Sequence, residues 1–152
     1  MVTIQNRQLL PVNIMMLEKA AKLALCLLEY ERFDLSIVLV TNEDMQQYNK
    51  NFREIDKPTD VLSFPFFPDL PVGTRIVPSC ADERNLGDLI IAPLYIQQTL
   101  EQWQDTFDHR LLVLLVHGIC HLLGYDHIQD EDFVLMQAEE KRLLAFIESN
   151  MS

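Results

Sequence analysis

The chain has 152 residues, 49% of them hydrophobic and 23% charged, with a formal net charge of −11 at pH 7. This describes one globular domain over residues 1–152 with enough chain for a full core. The acidity excludes general affinity for DNA, RNA or an anionic membrane surface.

Residues 2–5 (VTIQ) read as a short first strand. Residues 11–29 have helical spacing, with Leu17, Ala20, Ala21, Ala24, Leu25 and Leu28 on one stripe. LSIVLV (35–40), rich in β-branched residues, reads as a strand. Thr41 and the acids after it open a short helix to about residue 51. DVLSF (60–64) is a third strand, and residues 65–85, with four prolines, form a long loop of the kind that is often functional. LGDLIIA (86–92) is a fourth strand, and Pro93 starts a helix to about residue 104. Asp105 or Thr106 caps a further helix that Gly124 stops. Asp130 opens a last helix with Phe133, Met136, Leu143, Leu144 and Ile147 as apolar contacts. Four strands and about five helices without regular alternation predict an α+β fold.

The sequence has four histidines, and three of them lie in HGICHLLGYDH (117–127). His117 and His121, four apart on a helix, share a face. Gly124 lets the chain turn so that His127 returns toward them. Three neutral imidazoles converging with a fourth position open suit a catalytic zinc ion rather than a closed structural one. The alternative, histidines satisfied by backbone in a core, explains a lone histidine but not three at this spacing. Metzincin proteases share the spacing but carry glutamate after the first histidine, where this chain has Gly118, so their general base is missing.

HGICHLLGYDH closely resembles the signature of the YbeY family of bacterial rRNA maturation factors, which are metal-dependent, single-strand-specific endoribonucleases. NFREIDKPTDVLSFPF (51–66) resembles the family's second block and LGDLII (86–91) its third, in the expected order. Cys120 stands where leucine is common in the family. The resemblance implies a zincin-like fold, with a small mixed sheet beside the metal-bearing helix. It implies that His117, His121 and His127 ligate Zn²⁺ and that Arg53 acts near the metal. It also implies work on the 3′ end of 16S rRNA and in ribosome quality control.

On residue type alone, Arg53 is as well explained by a surface ion pair with Glu54 or Asp56. With the resemblance it becomes a phosphate ligand, since a guanidinium grips two phosphate oxygens. Asp88, a charge within an apolar strand, either faces solvent at an edge or supports a ligand histidine. Asp126 is better explained by turn chemistry than by support of the metal. Ser63 is expected to pack and Thr59 to satisfy local backbone. Cys120 is expected to be a small buried hydrophobe, His109 exposed helix surface, and Phe133 and Met136 core.

The mechanism expected is phosphodiester hydrolysis, with zinc activating water or polarising a phosphoryl oxygen, and Arg53 offsetting the developing charge. Imidazoles also suit nickel, copper or iron. The net charge opposes RNA binding. Either a local basic cleft of Arg53, Lys57, Arg75 and Arg84 or a basic ribosomal partner answers that objection. Residues 50–84 hold five basic against six acidic groups, so this region is nearly neutral. The rivals are a zinc hydrolase of amides or esters and a non-catalytic ribosome assembly factor with a structural metal. Residues 1–13 lack the layout of a secretory leader. Cys26, Cys80 and Cys120 show no paired spacing. Both observations point to the cytoplasm, with no membrane partner.

Overall fold

The structure, a computed structural model, describes residues 1–151. Its centre is a four-stranded mixed sheet of β1 (Val2–Asn6), β2 (Asp34–Leu39), β3 (Val61–Pro65) and β4 (Asn85–Ile91) in the order β1-β2-β4-β3. β1, β2 and β4 run parallel, and β3 pairs antiparallel with β4 at the edge. Pro65 ends β3, as the missing ladder donor of proline allows on an edge strand.

Both sheet faces are covered, which accounts for the continuous apolar runs of β2 and β4. One face packs on α1 (Ile14–Leu27), α4 (Phe107–Leu122) and α5 (Asp130–Asn150), with Leu35, Ile37, Leu89 and Ile91 in the main core. On the other face, α2 (Asn42–Arg53) covers a smaller cluster of Val38, Val40, Leu62 and Ile90 with its Met45.

The α+β fold matches the sequence expectation, and the differences lie at element ends. Asn13 caps α1, its side chain accepting from Met16 N–H, so the helix starts three residues after Pro11. The helix predicted over 93–104 breaks. α3 (Pro93–Gln98) ends where the Thr99 hydroxyl donates to the Tyr95 carbonyl at 2.9 Å, and a 3-10 turn follows at Leu100–Trp103. Thr106, not Asp105, caps α4 by accepting from His109 N–H. Phe133 is not core: it is 50% exposed, while Met136, Leu143 and Ile147 are buried. The long loop is a brace. Ile76 is buried, its N–H donating to the Tyr30 hydroxyl at 3.0 Å, and Arg75 lies over the Tyr30 ring while donating to the carbonyls of Leu28 and Glu29.

His109 is also more than surface. Its Nδ1 is 2.7 Å from Asp105 Oδ2 and its Nε2 3.0 Å from Glu148 Oε1, joining the start of α4 to the end of α5. The hydrogen bond to Asp105 raises the His109 pKa above 6.5 against the opposing effect of burial. The stabilisation is therefore complete below pH 6.5 and is lost as pH rises through the folded-state pKa. Solvent screening holds it under about 1 kcal/mol. Thermal melts of wild type and His109→Gln should differ most at acidic pH and converge as pH rises.

Candidate metal centre and its cleft

His117 and His121 project from one face of α4, with their Nε2 atoms 3.1 Å apart. The helix stops because Gly124 adopts φ +93°, a left-handed conformation that favours glycine. A Cβ there would lie 2.2 Å from the Leu70 carbonyl oxygen. The turn carries His127 back until its ring centroid is 5.9 Å from that of His117 and 5.4 Å from that of His121. One ligand nitrogen from each histidine lies within 4.8 Å of the other two.

The hydrogen bonds around the rings prepare them for a cation. His117 Nδ1 faces Glu140 Oε2 at 3.1 Å, the contact by which a carboxylate orients a ligand imidazole with its Nε2 toward a metal. Burial, reinforced by His117 and His127, pushes the His121 pKa down to about 4, so this ring is neutral at pH 7. Its Nε2 is turned to His117. The two Nε2 atoms lie 3.1 Å apart, close enough for one cation to take a lone pair from each. Tetrahedral zinc, at 2.0–2.1 Å from each nitrogen, sets its ligands about 3.4 Å apart, so the triad fits with a small inward movement of His127. Glu140→Gln is expected to keep the fold and weaken metal binding by ~10–100-fold, measured by competition with a chelating dye.

The triad opens into a cleft of about 480 Å³ lined also by Arg53, Asp60 and Ser63. Arg53 is the last residue of α2, followed by Glu54 in the left-handed conformation at φ 60°. Its Nη2 donates to the Ser63 carbonyl at 2.9 Å on the free side of β3, and its guanidinium lies 5.1 Å from the Phe64 ring centroid. Among the described residues it forms no ion pair, so Glu54 and Asp56 do not occupy it. Asn49, buried in α2, donates to the Lys57 carbonyl at 2.8 Å and ties down the segment between Arg53 and β3. Thr59 also lines the cleft, with its hydroxyl 3.5 Å from Asp60 Oδ1.

Gly118 has a packing reason. A Cβ there would lie 2.8 Å from Leu89 Cδ2 and 3.4 Å from Ser63 Oγ, and the Ser63 hydroxyl donates to the Gly118 carbonyl at 3.2 Å. A side chain at this position, glutamate included, would require the Leu89 tip to move aside. Cys120 is buried, and burial pushes its thiol well above its ordinary pKa, so it behaves as a small apolar side chain.

Not every sequence candidate reaches the site. Asp88 is exposed and pairs with Phe64 across the β3–β4 ladder, on the sheet face covered by α2. The histidines lie on the opposite face, against Leu89, so Asp88 supports none of them. Asp126 Oδ1 accepts from Ile128 N–H at 3.3 Å, which is turn chemistry. Of the four proposed basic residues, Arg53 alone lines the cleft; Arg75 is held at Tyr30. Glu140 and Asp60 escaped sequence analysis. Glu140 left one signal: it is a carboxylate at the helical stripe position between the buried Met136 and Leu143.

A mixed sheet with a helix that presents two of three convergent histidines is a framework that could hold a metal ion. Comparison with known proteins identifies the family. The family model described as Endoribonuclease YbeY matches residues 3–148, and the chain belongs to that family. It is 34% identical to the human protein named Endoribonuclease YbeY over 142 residues, covering 93% of this chain and 84% of that one. It is 39% identical to the protein of that name from Neisseria meningitidis serogroup C over 116 residues, 76% of this chain and 65% of the other. The solution structure of TM1509 from Thermotoga maritima matches with a TM-score of 0.63 over 97% of this chain and 89% of that one. At 23% identity this last likeness concerns the fold.

Proposed function

We propose that the protein is a zinc-dependent endoribonuclease that cleaves single-stranded RNA and acts in maturation of the 16S rRNA 3′ end and in ribosome quality control. The observation that carries this reading is one cleft lined by three metal-ready histidines and by a guanidinium free of carboxylate partners. His117, His121 and His127 would hold the ion, which when bound supplies Lewis acidity toward a phosphoryl oxygen or water. Arg53 binds the scissile phosphate and stabilises its additional negative charge in the transition state. Asp60 is the one carboxylate along the cleft among the described residues, and its Oδ1 is oriented by Val61 N–H at 2.7 Å. Asp60 is thus the carboxylate that could take up a proton leaving the attacking oxygen.

The acidity of the chain favours delivery by the ribosome or a basic ribosomal protein over capture of free RNA. No helix among the described residues is long and apolar enough to cross a membrane. The three cysteines are free thiols, as in a reducing cytoplasm.

The test is cleavage of an end-labelled single-stranded rRNA fragment and of its duplex by metal-loaded protein. Wild type should cut the single strand alone. Arg53→Ala should keep its metal and lose ~10²–10³-fold in rate. Equal rates for Arg53→Ala and wild type would remove the phosphate role, and cleavage of a peptide but not of RNA would replace the nuclease reading.

A further inference from the structure

Behind His117 and His127, a second groove of about 340 Å³ runs between the 3-10 turn at Leu100–Trp103, α4 and the start of α5. Asp60, His117 and His127 line both this groove and the metal cleft, so the two adjoin. Its walls carry two rings that packing does not explain. Trp103 is 51% exposed and Phe133 50% exposed, although both lie beside a well-filled core. Arg110, its side chain largely buried, lies 3.7 Å from the Trp103 ring centroid and has Nη2 3.7 Å from Asp60 Oδ2. That contact fixes the indole from one side. The floor includes Leu114 and Met136, both buried.

We propose that this groove takes one unpaired nucleobase of the RNA next to the scissile phosphate, stacked against Trp103 and Phe133. The proposal rests on the nuclease reading and deepens it. A largely apolar groove with two exposed aromatic rings suits a base face, and stacking there tolerates any base. The groove adjoins the cleft, so a base seated in it would neighbour the phosphate held at Arg53 and the metal centre. A base in a duplex cannot leave its stack to enter the groove without losing pairing and stacking energy. The groove thus supplies a physical cause for single-strand selectivity, and it compensates for the lack of a basic stripe.

Trp103 is the only tryptophan of the chain, so its fluorescence reports on the groove directly. Metal-loaded protein is titrated with a 2′-O-methylated single-stranded hexanucleotide, with an abasic hexanucleotide of the same phosphate count, and with a duplex. The single strand should quench the emission, and the abasic strand and duplex should leave it unchanged. Phe133→Ala, a change at an exposed position, should weaken binding by about tenfold and raise KM for RNA cleavage by a similar factor, with the loss falling mainly on KM. Equal quenching by the abasic strand, or an unchanged KM for Phe133→Ala in a protein whose wild type cleaves RNA, would overturn the groove assignment and leave the nuclease reading intact. A wild type that neither binds nor cleaves RNA overturns both.

Discussion

His121→Ala should abolish tight metal binding and cut RNA cleavage by about 10³-fold or more, equivalent to ~4 kcal/mol at the transition state. Burial holds the His121 ring neutral, with its pKa pushed down to about 4. It is also flanked by both of the other histidines, at ring-centroid distances of 4.6 Å and 5.4 Å. Removing it leaves His117 and His127, whose ring centroids lie 5.9 Å apart, and two imidazoles hold a divalent ion far less tightly than three. The substitution creates no clash, and alanine favours the helix, so folding should survive. Metal content after dialysis, read by atomic absorption beside circular dichroism, separates loss of the ion from loss of the fold. A His121→Ala protein that keeps one ion per chain would show that the triad is not the binding site.

Gly124→Ala is expected to cost about 3 kcal/mol or more of stability. Two causes add. The φ of +93° is strained for any residue with a Cβ, and that Cβ would lie 2.2 Å from the Leu70 carbonyl oxygen. The obstacle is backbone of the bracing loop, not the tip of a flexible side chain, so relief requires the chain to move. For a domain of this size the cost corresponds to a drop in Tm of ~10 °C. The displaced turn also carries His127, so metal affinity should fall with stability. A differential scan of the apo protein measures the first effect and a zinc titration the second. A variant as stable as wild type would mean that the turn relaxes freely and that the glycine serves no steric purpose.

Much of this site is local in sequence and was therefore legible there. Two ligands at i and i+4 follow from helical geometry, and the third follows from a glycine that ends the helix. Arg53 was visible through its resemblance block, and its freedom from ion pairs needed the fold to place Glu54 and Asp56 elsewhere. The mistakes concern relations between distant segments. Asp88 looked equally suited to either sheet face until pairing with Phe64 fixed it on the α2 side. Glu140 reaches His117 only because α5 packs along α4, across 23 residues of chain. Phe133 fits the apolar spacing of α5 but lies in its first turn, beyond the core, where it becomes a groove wall. The Gly118 backbone approaches Leu89 and Ser63 through tertiary packing alone, so the sequence disclosed an absent glutamate but not the reason for it.

The most direct test of the central claim, that three histidines hold one catalytic ion, is a zinc titration of metal-stripped protein with cleavage of single-stranded RNA as the readout. Activity should rise from near zero and level off at one ion per chain in wild type, and stay near zero in His121→Ala at every zinc concentration. Metal-stripped wild type as active as the loaded protein, or a His121→Ala variant that follows the wild-type curve, would contradict the account.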